Sequence, residues 1–249
     1  MYLLILFIPL FSAIVGGLFG RHLGGKGAGL LTSTCIVVTA FLSWFVLYEV
    51  GLSGSPTYIN LWTWMDTGLL TVSFGLMFDS VTSIMLILVT SVSSLVHIYS
   101  RGYMSEDPHL PRFMSYLSLF TFFMIILVTG DNLLQLFIGW EGVGLCSYLL
   151  INFWYTRIQA NKSAIKAMVI NRIGDVGLAL AMFVIFSTFK SLDFTTIFAL
   201  VPYCSTETIA MLGSEFNSIT VIGILLLIGA AGKSAQLGLH VWLPDAMEG

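Results

Sequence analysis

Charged side chains are scarce in this sequence of 249 residues. Only 9% are Asp, Glu, Lys or Arg, and 57% are hydrophobic, whereas soluble domains are about 25% charged. The net charge of −3 comes with no basic patch that could follow a phosphate backbone, which excludes nucleic-acid binding. Three cysteines without CxxC spacing (Cys35, Cys146 and Cys204) and four dispersed histidines argue against a disulfide framework or a metal cluster. The composition therefore predicts a membrane protein.

The N-terminus also lacks a targeting peptide. The apolar run at 2–19 has no basic start and no small-residue cleavage site, so we expect it to be a permanent span. The absence of an Arg-rich amphipathic presequence suits a bacterial protein or one made inside an organelle.

Seven apolar runs are long enough to cross about 30 Å of hydrocarbon. None alternates with period two, so the sequence predicts an all-α fold, a polytopic transmembrane helix bundle. The runs are approximately 2–19, 30–48, 80–100, 113–130, 133–154, 167–189 and 219–243. Longer connections lie at 51–79 and 190–218. In the first, we expect Trp62 and Trp64 to serve as outer-side interface anchors or as part of a short surface element.

Lys and Arg are distributed unevenly between the connections. The connections after runs one, three and five carry seven Lys and Arg residues. The connections after runs two, four and six hold only Lys190. The positive-inside rule then places the N-terminus outside and the basic connections in the matrix or cytoplasm. The seven basic residues are Arg21, Lys26, Arg101, Arg112, Arg157, Lys162 and Lys166.

Four ionisable residues fall inside the predicted spans: Glu141, Arg172, Asp175 and Lys233. Each costs about 2.5–3.5 kcal/mol at a helix centre unless it faces a partner or water. Arg172 and Asp175 are three residues apart and could neutralise each other. Glu141 and Lys233 could form a structural ion pair between runs five and seven. Buried pairs stabilise poorly, however, so a functional role is favoured.

Lys233 follows Gly232 and precedes Ser234, as in the end of a phosphate-binding loop. Such a loop needs a first glycine five positions before the second, where this sequence has Leu227. The preceding segment is also a long apolar run rather than a short strand. Nucleotide binding is therefore not expected here.

Glycines surround both of the central charges. Those near Lys233, followed by Pro244, predict a seventh helix that is broken around and beyond the lysine, a typical arrangement of transporter ion sites. Those near Glu141 allow either close helix packing or a water-lined notch. The two groups are Gly229, Gly232 and Gly238, and Gly139, Gly142 and Gly144.

Three segments resemble one known family. "LFIGWEGVGLCSYLLINFWYTR", "AIKAMVINRIGDVGLAL" and "GAAGKSAQLGLHVWLPDAMEG" are similar, in this order, to chain 5 of respiratory NADH–ubiquinone oxidoreductase (complex I), an antiporter-like subunit. The resemblance implies that Glu141 and Lys233 pair within a proton-translocating half-channel. It implies that Asp175 is a further functional carboxylate, and that Arg172 and Lys166 are charged site positions of the same motif.

The resemblance also implies an assembly. The chain would be part of NADH:ubiquinone reductase (H+-translocating), a translocase, with no cofactor and no redox chemistry of its own. The complex would use NADH, FMN, iron–sulfur clusters and ubiquinone. Expected partners are other membrane-arm subunits, especially a neighbouring antiporter-like subunit, and lipid. The expected location is the mitochondrial inner membrane, with a bacterial plasma membrane as the alternative.

Family members are longer than this sequence. By resemblance, residues 1–112 hold spans one to three, and 113–249 hold spans four to seven, an incomplete antiporter-like repeat. An eighth span and a second repeat would follow, so we expect either a second polypeptide that carries them or a partial product, and no pumping by this piece alone. Two alternatives stay open: a subunit of a multisubunit sodium/proton antiporter, and a structural anchor.

Overall fold

A computed structural model of the chain describes residues 1–204, 207–211 and 214–248. Eight α-helices and four short strands make up most of the described part. The helices are α1 Tyr2–Leu18, α2 Gly20–Val46, α3 Ser80–Tyr103, α4 Leu110–Thr129, α5 Leu133–Ile151, α6 Ile158–Phe189, α7 Phe194–Leu200 and α8 Ser218–Lys233. The strands are β1 Thr57–Asp66, β2 Thr71–Phe78, β3 Thr208–Met211 and β4 Ser214–Asn217.

The helices confirm a polytopic transmembrane bundle. Within the described residues, five helical segments are long and apolar enough to cross a membrane, namely α2 with the π-helix that extends it (Gly20–Leu52) and helices α3 to α6. Helices α1 and α8 are apolar but shorter, with 17 and 16 residues. The chain is therefore a multi-pass membrane protein.

Helix ends follow local sequence signals: the Asp79 carboxylate accepts a hydrogen bond from Thr82 N at 2.7 Å at the start of α3.

Three helix boundaries differ by nine or ten residues from the predicted runs, and one of them is the start of α6 at Ile158, where the run was predicted from residue 167. Helix α2 begins at Gly20, about ten residues before the predicted run, and bends at Gly24, whose φ of 69° suits glycine. The seventh run does not continue as a helix to residue 243, because α8 ends at Lys233. Turns follow, and then a short 3-10 helix at Asp245–Glu248.

The connections contain two hairpins that hydropathy did not predict. Strands β1 and β2 form one two-stranded sheet, and β3 pairs antiparallel with β4, with Thr208 opposite Asn217. In the first hairpin the Trp62 ring stacks on Phe74 with their centroids 4.8 Å apart. The expected short surface element between residues 51 and 79 is thus a β-hairpin.

The chain divides into two compact units. The first unit comprises Met1–Ile59, Leu76–Gly130 and Gln135–Leu150, and so contains α1 to α4 and most of α5. Gly20 lies so close to Pro111 that an added Cβ would be 2.7 Å from Pro111 Cβ. The α1–α2 junction and the α3–α4 connection therefore lie at the same end of this unit.

His97 links three helices inside the first unit. Its side chain is fully buried. Nδ1 lies 2.8 Å from the Ser93 carbonyl oxygen and so donates the hydrogen bond, which leaves Nε2 to accept from the Ser118 hydroxyl at 3.2 Å. Ser33 of α2 donates to the His97 carbonyl at 3.4 Å. These bonds connect α2, α3 and α4.

The second unit comprises Asn60–Gly75, Asp131–Leu134 and Ile151–Gly249. Helices α6 and α8 pack against each other in it. The α4–α5 and α6–α7 connections meet at one end, where Leu133 N donates to Leu192 O at 3.0 Å. Asn132 Nδ2 donates to Ser73 O of β2 at 2.7 Å. Connections that hydropathy places on the same side of the membrane are thus adjacent here.

Candidate functional site

Glu141 lies in the middle of α5, in the first unit, and is half-buried. The glycines on either side of it bring α5 against α4. A Cβ at Gly139 would lie 2.6 Å from Leu127 N, and a Cβ at Gly142 would overlap the Phe123 ring. Of the two interpretations of these glycines, the structure favours close helix packing over a water-lined notch. Glu141 therefore sits on a closely packed helix pair.

Lys233 is the last residue of α8 and is half-buried. The helix continues unbroken through Gly229 and Gly232 and stops immediately after them. Beyond the lysine, Ala235 has a φ of 49° and Gly238 a φ of 98°, so the backbone leaves the helical path. The predicted break is therefore located on the C-terminal side of the lysine, and the two earlier glycines serve another purpose.

That purpose is the contact between α8 and α6. A Cβ added at Gly174 of α6 would lie 3.0 Å from Gly229 O and 3.1 Å from Gly232 Cα. Glycines permit such an approach because they lack a side chain. Asp175 directly follows Gly174, and Lys233 directly follows Gly232. Two predicted site residues of the second unit thus flank one backbone-to-backbone contact.

Arg172 and Asp175 form the predicted pair on α6. Their side chains come within 3.7 Å, from Arg172 Nη1 to Asp175 Oδ2. Asp175 has only 6% of its side chain exposed, whereas Arg172 has 48%. The two charges therefore lie close enough on one helix face to neutralise each other in part, as the structural interpretation of this pair expects. The buried member is the carboxylate, the group that the family resemblance had singled out.

Lys166 has a partner that sequence reasoning missed. Its Nζ lies 2.6 Å from Asp245 Oδ2, and both side chains are exposed by more than 40%. Trp242 Nε1 donates to Gly232 O at 3.1 Å, which satisfies one of the last carbonyls of α8. The segment after α8 is therefore joined to both α6 and α8. The Leu-Pro-Asp sequence after α8 indicates a turn that contains a carboxylate, but the sequence alone does not identify Lys166 as the partner of that carboxylate.

A polar cluster lies at the end of the second unit where the connections meet. Asn132 Nδ2 donates to Asp131 Oδ1 at 2.6 Å, and Ser73 Oγ donates to Oδ2 at 3.5 Å. Burial, and to a smaller extent the negative charge of Asp193, raises the pKa of the Asp131 carboxyl above its ordinary value, against the opposing effect of Asn132. An alanine at Gly75 would collide with this carboxylate. Hydropathy and the family motifs do not single out Asp131, because it lies in the short connection between α4 and α5.

The five predicted site residues are distributed over both units. Glu141 belongs to the first unit, and the others belong to the second, so the pairing of Glu141 with Lys233 stays a prediction. In the second unit the structure places Asp175 and Lys233 beside one helix contact and joins Lys166 to Asp245. Within the described ranges, no three His, Cys, Asp or Glu side chains are grouped to hold a metal ion.

Known membrane proteins share this architecture. A structure of the Mrp complex from Dietzia sp. DQ12-45-1b superposes with a TM-score of 0.82 and 24% identity, over 99% of this chain and 25% of that one. An archaeal membrane-bound sulfane sulfur reductase gives a TM-score of 0.80 at 16% identity, over 98% of this chain and 47% of that one. At these identities the likeness shows the fold alone, a helical membrane fold that this chain shares with part of each of these complexes.

Sequence comparisons narrow the class to a family. Residues 130–249 match the model "NADH:quinone oxidoreductase/Mrp antiporter, TM", and 64–114 match "NADH-Ubiquinone oxidoreductase (complex I), chain 5 N-terminus". NADH-ubiquinone oxidoreductase chain 5 of Metridium senile is 59% identical over the whole chain, and that of Triticum aestivum is 58% identical. The chain spans 40% and 37% of these relatives. It belongs to the family of NADH–ubiquinone oxidoreductase chain 5.

Proposed function

We propose that the chain is part of a proton-translocating membrane-arm subunit of respiratory complex I. In this proposal Lys233 carries the proton, Glu141 controls its release, and Asp175 is a second carboxylate on the route. Arg172 and Lys166 hold the neighbouring charges, Arg172 beside Asp175 and Lys166 against Asp245. Residues 113–249 act as the first part of an antiporter-like repeat, and residues 1–112 pack as the preceding spans.

The contact between Gly174 and Gly232 is the observation that carries the proposal. It lies where α8 ends, and the residues that follow the two glycines are a buried carboxylate and an ammonium group. A helix that ends within a bundle leaves backbone carbonyls without helical partners, and these can hold a cation or water. The arrangement thus combines two titratable groups with a polar helix end.

The chemistry requires only a change in the surroundings of Lys233. A nearby carboxylate favours the charged form of a lysine, whereas burial in an apolar environment favours the neutral form. Protonation or withdrawal of Glu141 would therefore cause Lys233 to release a proton. Return of the Glu141 carboxylate would then allow Lys233 to bind another proton. Moving one charge across 100 mV requires about 2.3 kcal/mol. That corresponds to roughly a fiftyfold change in proton affinity.

The proposal extends to the assembly and its location. The chain would contribute to NADH:ubiquinone reductase activity without redox groups of its own, while NADH, FMN, iron–sulfur clusters and ubiquinone bind elsewhere in the complex. Its partners would be a neighbouring antiporter-like subunit and the polypeptide segment that supplies the remaining spans. We place it in the mitochondrial inner membrane, with the N-terminus on the intermembrane-space side. The basic connections then face the matrix.

Replacement of Lys233 with Met tests the assignment. In membrane vesicles that contain the assembled complex, we expect NADH-driven proton uptake to fall strongly while the complex remains intact on native gels. Lys162→Met is the matched control, because Lys162 is exposed and lies on α6 away from the glycine contact. Unchanged proton uptake in the Lys233 variant would instead support a structural anchor.

A sodium/proton antiporter subunit is the second candidate. The family model that matches residues 130–249 covers both NADH:quinone oxidoreductases and Mrp antiporters, which is why this alternative remains. Quinone-site inhibitors of the rotenone type distinguish the two functions. Ion transport that depends on this chain should stop with NADH oxidation in a complex I subunit and continue in an antiporter.

A further inference from the structure

The segment after α8, residues 234–248, lies along α6. At the end of α8, Gly232 meets Gly174 of α6, and near the end of the segment Asp245 meets Lys166 of the same helix. Lys166 comes eight residues before Gly174. At about 1.5 Å per residue, these residues correspond to about 12 Å of helix. The segment therefore runs from the glycine contact towards the start of α6.

A polar link joins Asp245 to the end of α8. The Ala246 N–H donates to Trp242 O at 3.0 Å, so Asp245 and Trp242 belong to one turn. The Trp242 indole Nε1 donates to Gly232 O at 3.1 Å. Gly232 directly precedes Lys233 in the chain. A displacement of Asp245 is therefore transmitted, through one turn and one hydrogen bond, to the backbone of Lys233.

Apolar burial contributes little to holding this segment. Each of residues 234–248 is at least partly exposed, and Leu237 is 97% exposed. The neighbouring glycine contact adds no side chain that could fix the segment. Its specific polar attachments are the ion pair of Asp245 with Lys166, at 2.6 Å, and the hydrogen bond of Trp242. The position of the segment along α6 thus depends on a charge interaction.

We propose that Asp245 is a positioning residue for Lys233. Its ion pair with Lys166 holds the segment along α6, and Trp242 carries that hold to the end of α8. Lys233 is thereby kept at the same helix contact as Asp175. The inference rests on the proposed function, in which Lys233 carries the proton, and it adds a carboxylate that acts through the backbone without binding the proton itself.

The ion pair suits positioning better than stability. Both side chains are exposed by more than 40%, and exposed ion pairs shift an equilibrium by no more than about fivefold. Loss of the pair should therefore leave the assembly intact. It should change how often the end of α8 occupies its place beside α6.

Proton uptake by vesicles that contain the assembled complex tests the proposal. Asp245→Asn and Lys166→Met should each lower the number of protons taken up per NADH oxidised by about two- to fivefold, with assembly on native gels retained. Because both changes remove the same pair, the double variant should be no worse than either single variant. Exchange of the two charges, Lys166→Asp with Asp245→Lys, should restore most of the uptake.

A third variant and a control test the route from Asp245 to α8. Trp242→Phe keeps an aromatic ring but removes the donor to Gly232 O, so it should lower uptake to a similar extent and add little to Asp245→Asn. Glu248→Gln is the matched control, because it removes a carboxylate from the same 3-10 helix without altering the pair with Lys166. Uptake should stay at the wild-type level in this variant.

Unchanged uptake per NADH in Asp245→Asn, or an exchange of charges that restores none of the lost uptake, would overturn the proposal. Should Asp245→Asn fail to assemble, Trp242→Phe decides: lowered uptake supports the positioning link, and unchanged uptake refutes it. Loss of uptake in Lys233→Met together with wild-type uptake in the other variants would refute positioning by Asp245 alone. Unchanged uptake in Lys233→Met would refute the proposed function, and this inference with it.

Discussion

Replacement of Gly174 with Ala should separate α6 from α8 at the proposed proton site. The new Cβ would lie 3.0 Å from Gly229 O and 3.1 Å from Gly232 Cα. Both are backbone atoms, so no side-chain rotation can relieve the contact. One helix must move by a few tenths of an ångström, and Lys233 moves with the end of α8.

The magnitude follows from two opposing effects. Overpacking of this kind costs about 1–3 kcal/mol, while Ala in place of Gly within a helix contributes about 1 kcal/mol of helix propensity. Gly223→Ala is the matched control, because a Cβ there meets no atom within 4 Å and only the propensity gain remains. The Gly174 variant should therefore be less stable than the Gly223 variant by about 1–3 kcal/mol.

Thermal unfolding of the purified assembly in detergent measures this difference. One kcal/mol shifts the melting temperature of a domain of this size by about 2–4 °C. We expect the Gly174 variant to melt lower than the Gly223 variant and to lose proton uptake in vesicles. Equal melting temperatures would show that α6 and α8 are not held at this glycine contact, and the argument that Asp175 and Lys233 share one site would fail with it.

Three further predictions concern both units. Gly139→Ala places a Cβ 2.6 Å from Leu127 N, so it should reduce stability and assembly, on native gels, more than the change at Gly174 does. His97→Leu leaves the buried Ser118 hydroxyl without its ring acceptor, and thermal unfolding should show a loss of about 1–3 kcal/mol. The pKa of the Asp131 carboxyl is raised in the folded state, so folding favours its protonated form. Its contribution to the free energy of unfolding is therefore complete below the unfolded-state pKa of 3.8. That contribution is lost as the pH rises through the folded-state pKa. Melting temperatures measured over this range should show that dependence in the native chain and not in Asp131→Asn; an unchanged slope would exclude Asp131 as its source.

Hydropathy predicted most of the bundle because the backbone polar groups of each span must be hydrogen-bonded within that span. Each span can therefore be recognised from its own apolar length. It did not predict the hairpin of β1 and β2, because strands in a connection are set by pairing across the turn rather than by apolar length. It also extended the last run beyond Lys233. The apolar residues after the lysine continue the pattern, but their backbone is turned by positive φ values at Ala235 and Gly238.

By itself, the sequence determined that this is a multi-pass membrane protein of the complex I chain 5 family, and it singled out the charged residues within its spans. Those conclusions depend on composition and on motifs that are contiguous in the chain. Only the tertiary structure decided that Gly174 meets Gly232 and that Lys166 meets Asp245. Each of these pairs joins residues far apart in sequence, and their proximity depends on how the helices pack.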